Sequence, residues 1–123
     1  MSDYRFIVDG PLLGYRKSTI PIVTRRGLRV RINDREYTGF LNKVLVIAME
    51  AGYRKYEPTP DRPATLSVHV VWSGKPRLDW KNVYGAVEDA LFDQDRYVKP
   101  GPENGVDWLK AGDYERAEVW IQT

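Results

Sequence analysis

Apolar residues recur at three- and four-residue steps in two stretches of the chain, the spacing of one buried face of an α-helix. The first stretch follows Asn33 and Asp34, either of which can cap a helix, and it closes at Gly52. The second follows Asp79, whose side chain can accept from the amides two and three residues on, and covers roughly residues 80–92. The pattern therefore predicts two helices.

Shorter stretches alternate between apolar and polar residues or are rich in Val, which is the pattern of β-strands. The predicted strands cover residues 4–10, 28–32, 64–72 and 116–123. The basic segment between the first two strands is expected to be a loop in its first part, broken by Gly14 and Pro21. This order of elements predicts one α+β domain over residues 1–123, with two main helices packed on one face of a mixed β-sheet.

Composition limits the chemistry, because the 123 residues include no Cys and one His, His69. Disulfides and thiolate zinc sites are excluded, and so are multi-His sites within one chain. A metal site must then use oxygen ligands, which suit Mg²⁺ or Mn²⁺. His69 lies inside an apolar strand, so we expect it to be structural or to line a groove. The absence of a signal-peptide layout and of a long apolar run leads us to expect a cytoplasmic protein.

Charge is unevenly distributed, with a net of +5 over residues 1–60 and −3 over residues 61–123. A basic surface attracts polyanions such as DNA. The candidate DNA-binding residues are Arg16, Lys17, Arg25, Arg26, Arg29 and Arg31, together with Lys75 and Arg77. The alternative is that these residues form an ordinary solvated loop.

Five of the 17 acids lie between Asp79 and Asp95. Asp79 opens the second helix, whereas Asp93 and Asp95 follow its other end. If these carboxylates meet, they could hold Mg²⁺, with water and a substrate phosphate completing the octahedron. The alternative is a helix cap, solvated helix residues and turn residues without any function. Glycine-rich phosphate loops, dinucleotide fingerprints and nucleophile elbows are absent from the sequence.

The segment "LDWKNVYGAVEDALFDQDRYV" (78–98) resembles the RusA family of Holliday-junction resolvases, found in phages and prophages. The family pattern is Asp-x-Asp-Asn-x-x-Lys, then Asp-Ala-Leu, then two acids before a strand. Asp79, Asn82, Asp89-Ala90-Leu91 and Asp95 match it, and the flanking order of strand, Gly-Pro, basic loop, helix and strand is also similar. The chain departs from the pattern at three positions. Lys81 replaces the second acid of Asp-x-Asp, Gly85 replaces the Lys, and Gln94 replaces the first of the two late acids.

The resemblance implies a RusA-like homodimer that cuts four-way DNA junctions with Mg²⁺ or Mn²⁺ in recombination and repair, in a bacterial or phage-infected cell. Asp79 and Asp95 would ligate the metal with help from Asp93, Lys81 would contact phosphate, and Asn82 would orient the site. Lys81 could replace the family Lys missing at Gly85, since residues four apart share a helix face. Two alternatives remain: a catalytically impaired DNA-binding protein, and a plain interaction module.

Overall fold

A computed structural model describes residues 2–14, 19–72 and 79–123 of the chain. In chain order the elements are β1 (Asp3–Asp9), β2 (Thr19–Val23), β3 (Arg29–Asn33), α1 (Arg35–Glu50), β4 (Ala64–Trp72), α2 (Trp80–Leu91), β5 (Val98–Pro100), β6 (Gly105–Trp108) and β7 (Arg116–Gln122). The predicted α+β domain with a mixed sheet and two helices is confirmed.

The main sheet has five strands, and its order places the last strand of the chain in the interior. β7 pairs antiparallel with β1 on one side and with β4 on the other. β5 and β6 both run parallel to β4 and follow one another along its far edge. The sheet is therefore mixed.

A second, two-stranded sheet corrects one expectation from the sequence. The loop predicted around Pro21 is wrong, because β2 pairs antiparallel with β3 and Pro21 lies opposite Arg31. Proline is tolerated in a two-stranded ribbon, where an N–H can face solvent instead of a neighbouring strand. The turn between the two strands contains Gly27, whose φ of 77° favours glycine.

Both helices begin at the predicted caps. The Asp34 side chain accepts from the Tyr37 amide at 3.1 Å, and the Asp79 side chain accepts from the Lys81 amide at 2.9 Å. After α1, Gly52 has a φ of 99°, and the next amide turns back to a carbonyl of the last helical turn. These local signals set where both helices begin and where α1 ends.

The core lies between the helices and one face of the main sheet. In β1 and β7, burial alternates along the strand, and the buried side faces the helices. The core side chains include Phe6, Val8, Tyr37, Phe40, Val44, Leu66, Val68, Val70, Val83, Val87, Val119 and Ile121. Within the described ranges, neither helix is long and apolar enough to span a membrane.

Tyr53 connects the segment that follows α1 to the end of α2. It is fully buried, and its hydroxyl donates to the Leu91 carbonyl at 2.6 Å. Burial is the main reason that the pKa of Tyr53 rises to about 12, and the Asp93 carboxylate acts in the same direction. The end of α2 is therefore held against the core, and the exposed acids Asp93 and Asp95 follow directly after it.

Candidate functional site

The outward face of α2 forms the floor of a cleft of about 370 Å³. Its apolar residues recur at helical spacing and turn inward, so the polar residues between them share the opposite face. The lining residues are Lys81, Asn82, Gly85, Glu88, Asp89, Phe92, Asp93 and Asp95. Four of the five predicted catalytic or metal-binding residues are thus brought to one cleft, and Asp79 is the exception.

Glu88 is a cleft residue that the sequence interpretation counted as merely solvated. It is half-buried and lies beside Tyr84 and Asp95. Burial, followed by the proximity of the Asp95 and Asp89 carboxyls, raises the pKa of Glu88 to about 7, against the opposing effect of Tyr84. The signal available in the sequence was its position seven residues after Lys81, which puts both on one helix face.

The other acids of the cleft already have partners at its rim. The Asp93 carboxylate accepts from the Lys55 ammonium at 2.6 Å, in an ion pair that is exposed on both sides. Asp89 accepts from the buried Tyr37 hydroxyl at 3.3 Å. Both carboxylates keep a second oxygen that can accept from water or coordinate a cation.

Asp79 lies apart from these acids. Its side chain is engaged with the Lys81 amide, and it is not among the cleft-lining residues. Asp79 and Glu88 are nine residues apart, which is about 13 Å of helix rise, and Asp95 lies beside Glu88 in the cleft. The structure thus does not bring Asp79 to Asp93 and Asp95, and among the described residues no group of three or more His or acidic side chains has a metal-holding arrangement. The metal set of Asp79, Asp93 and Asp95 remains a prediction.

The predicted DNA-binding residues are only partly visible. Arg25 and Arg26 are exposed in the turn at the tip of the β2–β3 hairpin, where their side chains can reach a polyanion. The other predicted DNA-binding residues lie outside the part of the chain that the structure describes. These are Arg16, Lys17, Lys75 and Arg77, together with the side chains of Arg29 and Arg31.

One prediction for a single side chain, that of His69, is confirmed, and Trp80 has a clear structural role. Trp80 is partly buried and packs against the core, its indole N–H donates to the Val68 carbonyl at 2.9 Å, and its ring contacts Tyr84. His69 lines grooves on the outer face of the sheet, between Glu118 at 3.1 Å and Asp107 at 2.9 Å.

No protein-family model matches the chain, and no curated protein matches it in a sequence search. Three features of the chain bear on its function: the acidic segment from residue 79 to 98, the cleft on α2, and the exposed Arg25 and Arg26 of the hairpin.

Proposed function

We propose that the chain is a Mg²⁺- or Mn²⁺-dependent, structure-selective DNA endonuclease with a RusA-like fold. It would resolve four-way junctions in recombination and repair, acting as a homodimer in a bacterial or phage-infected cell. The observation that carries the proposal is the cleft on α2, which is lined by Lys81, Asn82 and Glu88 of the helix and by Asp95 of the loop that follows it.

The cleft is electrically polarised along α2. The N-terminal end of a helix favours anions and its C-terminal end favours cations. Lys81 and Asn82 lie in the first turn, whereas Glu88, Asp93 and Asp95 lie at or beyond the last turns. A DNA phosphate therefore belongs toward the start of the helix and a divalent cation toward its end.

Carboxylate oxygens are the donors that a hard cation prefers, and the proposal assigns Asp95 and Glu88 as its ligands. Asp93 would have to turn away from Lys55 to become a third donor. A bound Mg²⁺ would orient a water and stabilise charge on the attacked phosphate. Lys81 has a long flexible stem that lets its ammonium approach a neighbouring phosphate of the same DNA strand. Asn82 can donate a hydrogen bond to a phosphate oxygen, and Asp79 positions both residues by capping their turn.

Cleavage of a synthetic four-way junction in Mg²⁺ or Mn²⁺ tests the proposal. Asp95→Asn removes a charge from the cleft with little change of shape, and we expect a loss of at least about 100-fold in cutting rate. The matched control is Asp61→Asn, an exposed acid outside the cleft, which should cut like the wild type. Equal cutting by Asp95→Asn and the wild type would overturn the assignment of this cleft.

Asp79→Asn separates two roles of the same residue. Asn caps a helix about as well as Asp, so the variant keeps the fold of α2 but loses the charge. Retained cutting would mean that Asp79 acts as a cap, whereas a loss like that of Asp95→Asn would mean that Asp79 moves to the metal on loading. Manganese density in a soaked crystal would show directly which carboxylates bind.

A second candidate, a catalytically impaired DNA-binding protein, is favoured by the engagement of Asp79 with its own helix. It predicts salt-sensitive junction binding without metal-dependent cutting. The combined change Lys81→Asp and Gly85→Lys restores the family residues and should then create activity. An interaction module without DNA affinity is the remaining alternative, and gel-shift titrations at two salt concentrations distinguish it from both.

A further inference from the structure

The two edges of the main sheet differ in how open they are. One edge is divided between β5 and β6, which are three and four residues long, and β5 ends at Pro100. The other edge is β1, which has seven residues, contains no proline and, among the described residues, pairs only with β7. Short strands and proline protect an edge, whereas a long open edge is a template for another strand.

The hydrogen bonding of β1 shows which of its groups are open. Ser2 and Thr123 exchange two backbone hydrogen bonds, of 3.1 and 2.9 Å. Because such pairs alternate along an antiparallel ladder, the even-numbered residues of β1 turn their N–H and C=O toward β7. The odd-numbered residues direct theirs to the edge. Lys43 donates to one of these groups, the Asp9 carbonyl, at 2.6 Å, and a carbonyl has a second lone pair.

We propose that two copies of the chain join at this edge, with β1 antiparallel to β1 and Ile7 on the two-fold axis. Arg5 then lies opposite Asp9 of the partner subunit, twice over, on the outer face of the sheet. Opposite charges directly across a ladder stabilise it and like charges destabilise it. The result is one continuous ten-stranded sheet with closed two-fold symmetry.

Three antiparallel registers of β1 with its copy pair at least five of its residues. The charges on β1 favour the register centred on Ile7. Centring the pair on Phe6 would place Asp3 opposite Asp9, two like charges. Centring it on Arg5 would place that residue opposite its own copy. Only the register centred on Ile7 matches opposite charges and puts an apolar side chain, 46% exposed in the single chain, at the centre.

The Arg5 side chain would have to turn for this contact. Its guanidinium stacks over the Trp120 ring of β7 at 3.9 Å, on the side of β1 away from the open edge. Its exposed pair with Glu103 at 3.0 Å leaves further N–H groups for a second carboxylate. A two-fold axis normal to the sheet keeps both copies of α1 on one face. Val46 of α1, which is 53% exposed, lies three residues from the edge-binding Lys43.

Single cysteines test the pairing, because the chain has none of its own. Directly opposite residues have Cα atoms about 5.5 Å apart, within disulfide range. Under mild oxidation Ile7→Cys should cross-link to itself. Arg5→Cys should not, but a mixture of Arg5→Cys with Asp9→Cys should. Sedimentation that shows only monomer, or self-linking of Arg5→Cys equal to that of Ile7→Cys, would overturn the proposal.

Charge exchange provides an independent reading of the register. Arg5→Asp or Asp9→Arg alone creates two like-charge contacts and should raise the dimer Kd at least about tenfold. The double variant should restore the wild-type Kd, and circular dichroism checks that each variant is folded. The pairing depends on β1 and not on the proposed nuclease activity. A dimer that does not cross-link through Ile7→Cys, and whose Kd is the same in the charge variants, would refute the pairing. That result would say nothing about the activity proposed for the α2 cleft.

Discussion

Replacing Glu88 with Gln tests whether the α2 cleft holds a carboxyl with a raised pKa. Burial and the nearby Asp95 and Asp89 raise the pKa of Glu88 from 4.5 to about 7. In the unfolded chain the ordinary value applies, so between pH 4.5 and 7 the folded state binds more protons than the unfolded state. Stability present below pH 4.5 is therefore lost as the pH rises through 7.

The size of the effect follows from the shift. A rise from 4.5 to about 7 corresponds to about 3 kcal/mol if nothing screens the charge. Glu88 is half-buried, and solvent weakens such interactions, so we expect about 1 kcal/mol. Gln keeps the shape and carries no charge at any pH. The variant should therefore gain about 1 kcal/mol in free energy of unfolding, relative to the wild type, between pH 5 and pH 8.

Urea unfolding of both proteins at pH 5 and pH 8, in the presence of a chelator, measures this change. Subtracting the wild type removes the contribution of every other titrating group that the two proteins share. Glu50→Gln, at the exposed end of α1, controls for loss of a carboxyl outside the cleft. If the stability difference between Glu88→Gln and the wild type is the same at both pH values, Glu88 ionises freely and the cleft does not confine its charge.

Three further predictions concern the scaffold of the cleft, each measured by urea unfolding. Tyr53→Phe removes the buried hydrogen bond to Leu91 and should cost about 1–2 kcal/mol; an unchanged midpoint would show that the bond contributes nothing. Asp79→Ala should cost about 1 kcal/mol and Asp79→Asn close to nothing, whereas equal losses would contradict the capping role. Gly101→Ala should cost about 1–3 kcal/mol because its Cβ would overlap the Ser67 hydroxyl, and Ser67→Ala in that background should recover part of the loss.

The parts of the fold that were predictable from the sequence are those set by local signals. Asp79, and the pair Asn33 and Asp34, marked the starts of the two helices because a cap acts on amides two or three residues away, and the structure selects Asp34 of that pair. The strand 64–72 was predicted with its observed bounds because a run of Val with turn residues on both sides has few other solutions.

The parts that were not predictable depend on partners distant in the sequence. Pro21 suggested a loop, and only pairing with β3 makes that segment a strand. The central position of β7 depends on β1 and β4, which lie more than forty residues away. The role of Glu88 likewise depends on a loop residue, Asp95, folding back onto the helix. No local pattern carries that information.

Lys81 stands where the RusA family has an acid, and beside a metal at Asp79, within about 4 Å, its ammonium would repel the ion. In the structure the half-buried carboxyl of the cleft is that of Glu88, seven residues along the helix and about 10 Å of rise from Lys81, with Asp95 of the following loop beside it. Across that distance the repulsion between a divalent ion and an ammonium falls to about 1–3 kcal/mol in partly solvated surroundings. Salt at physiological strength screens it further, since the distance exceeds the Debye length of about 8 Å. The same lysine is then free to draw the phosphate backbone into the cleft, and the charge reversal at position 81 is compatible with a cation at the far end of α2.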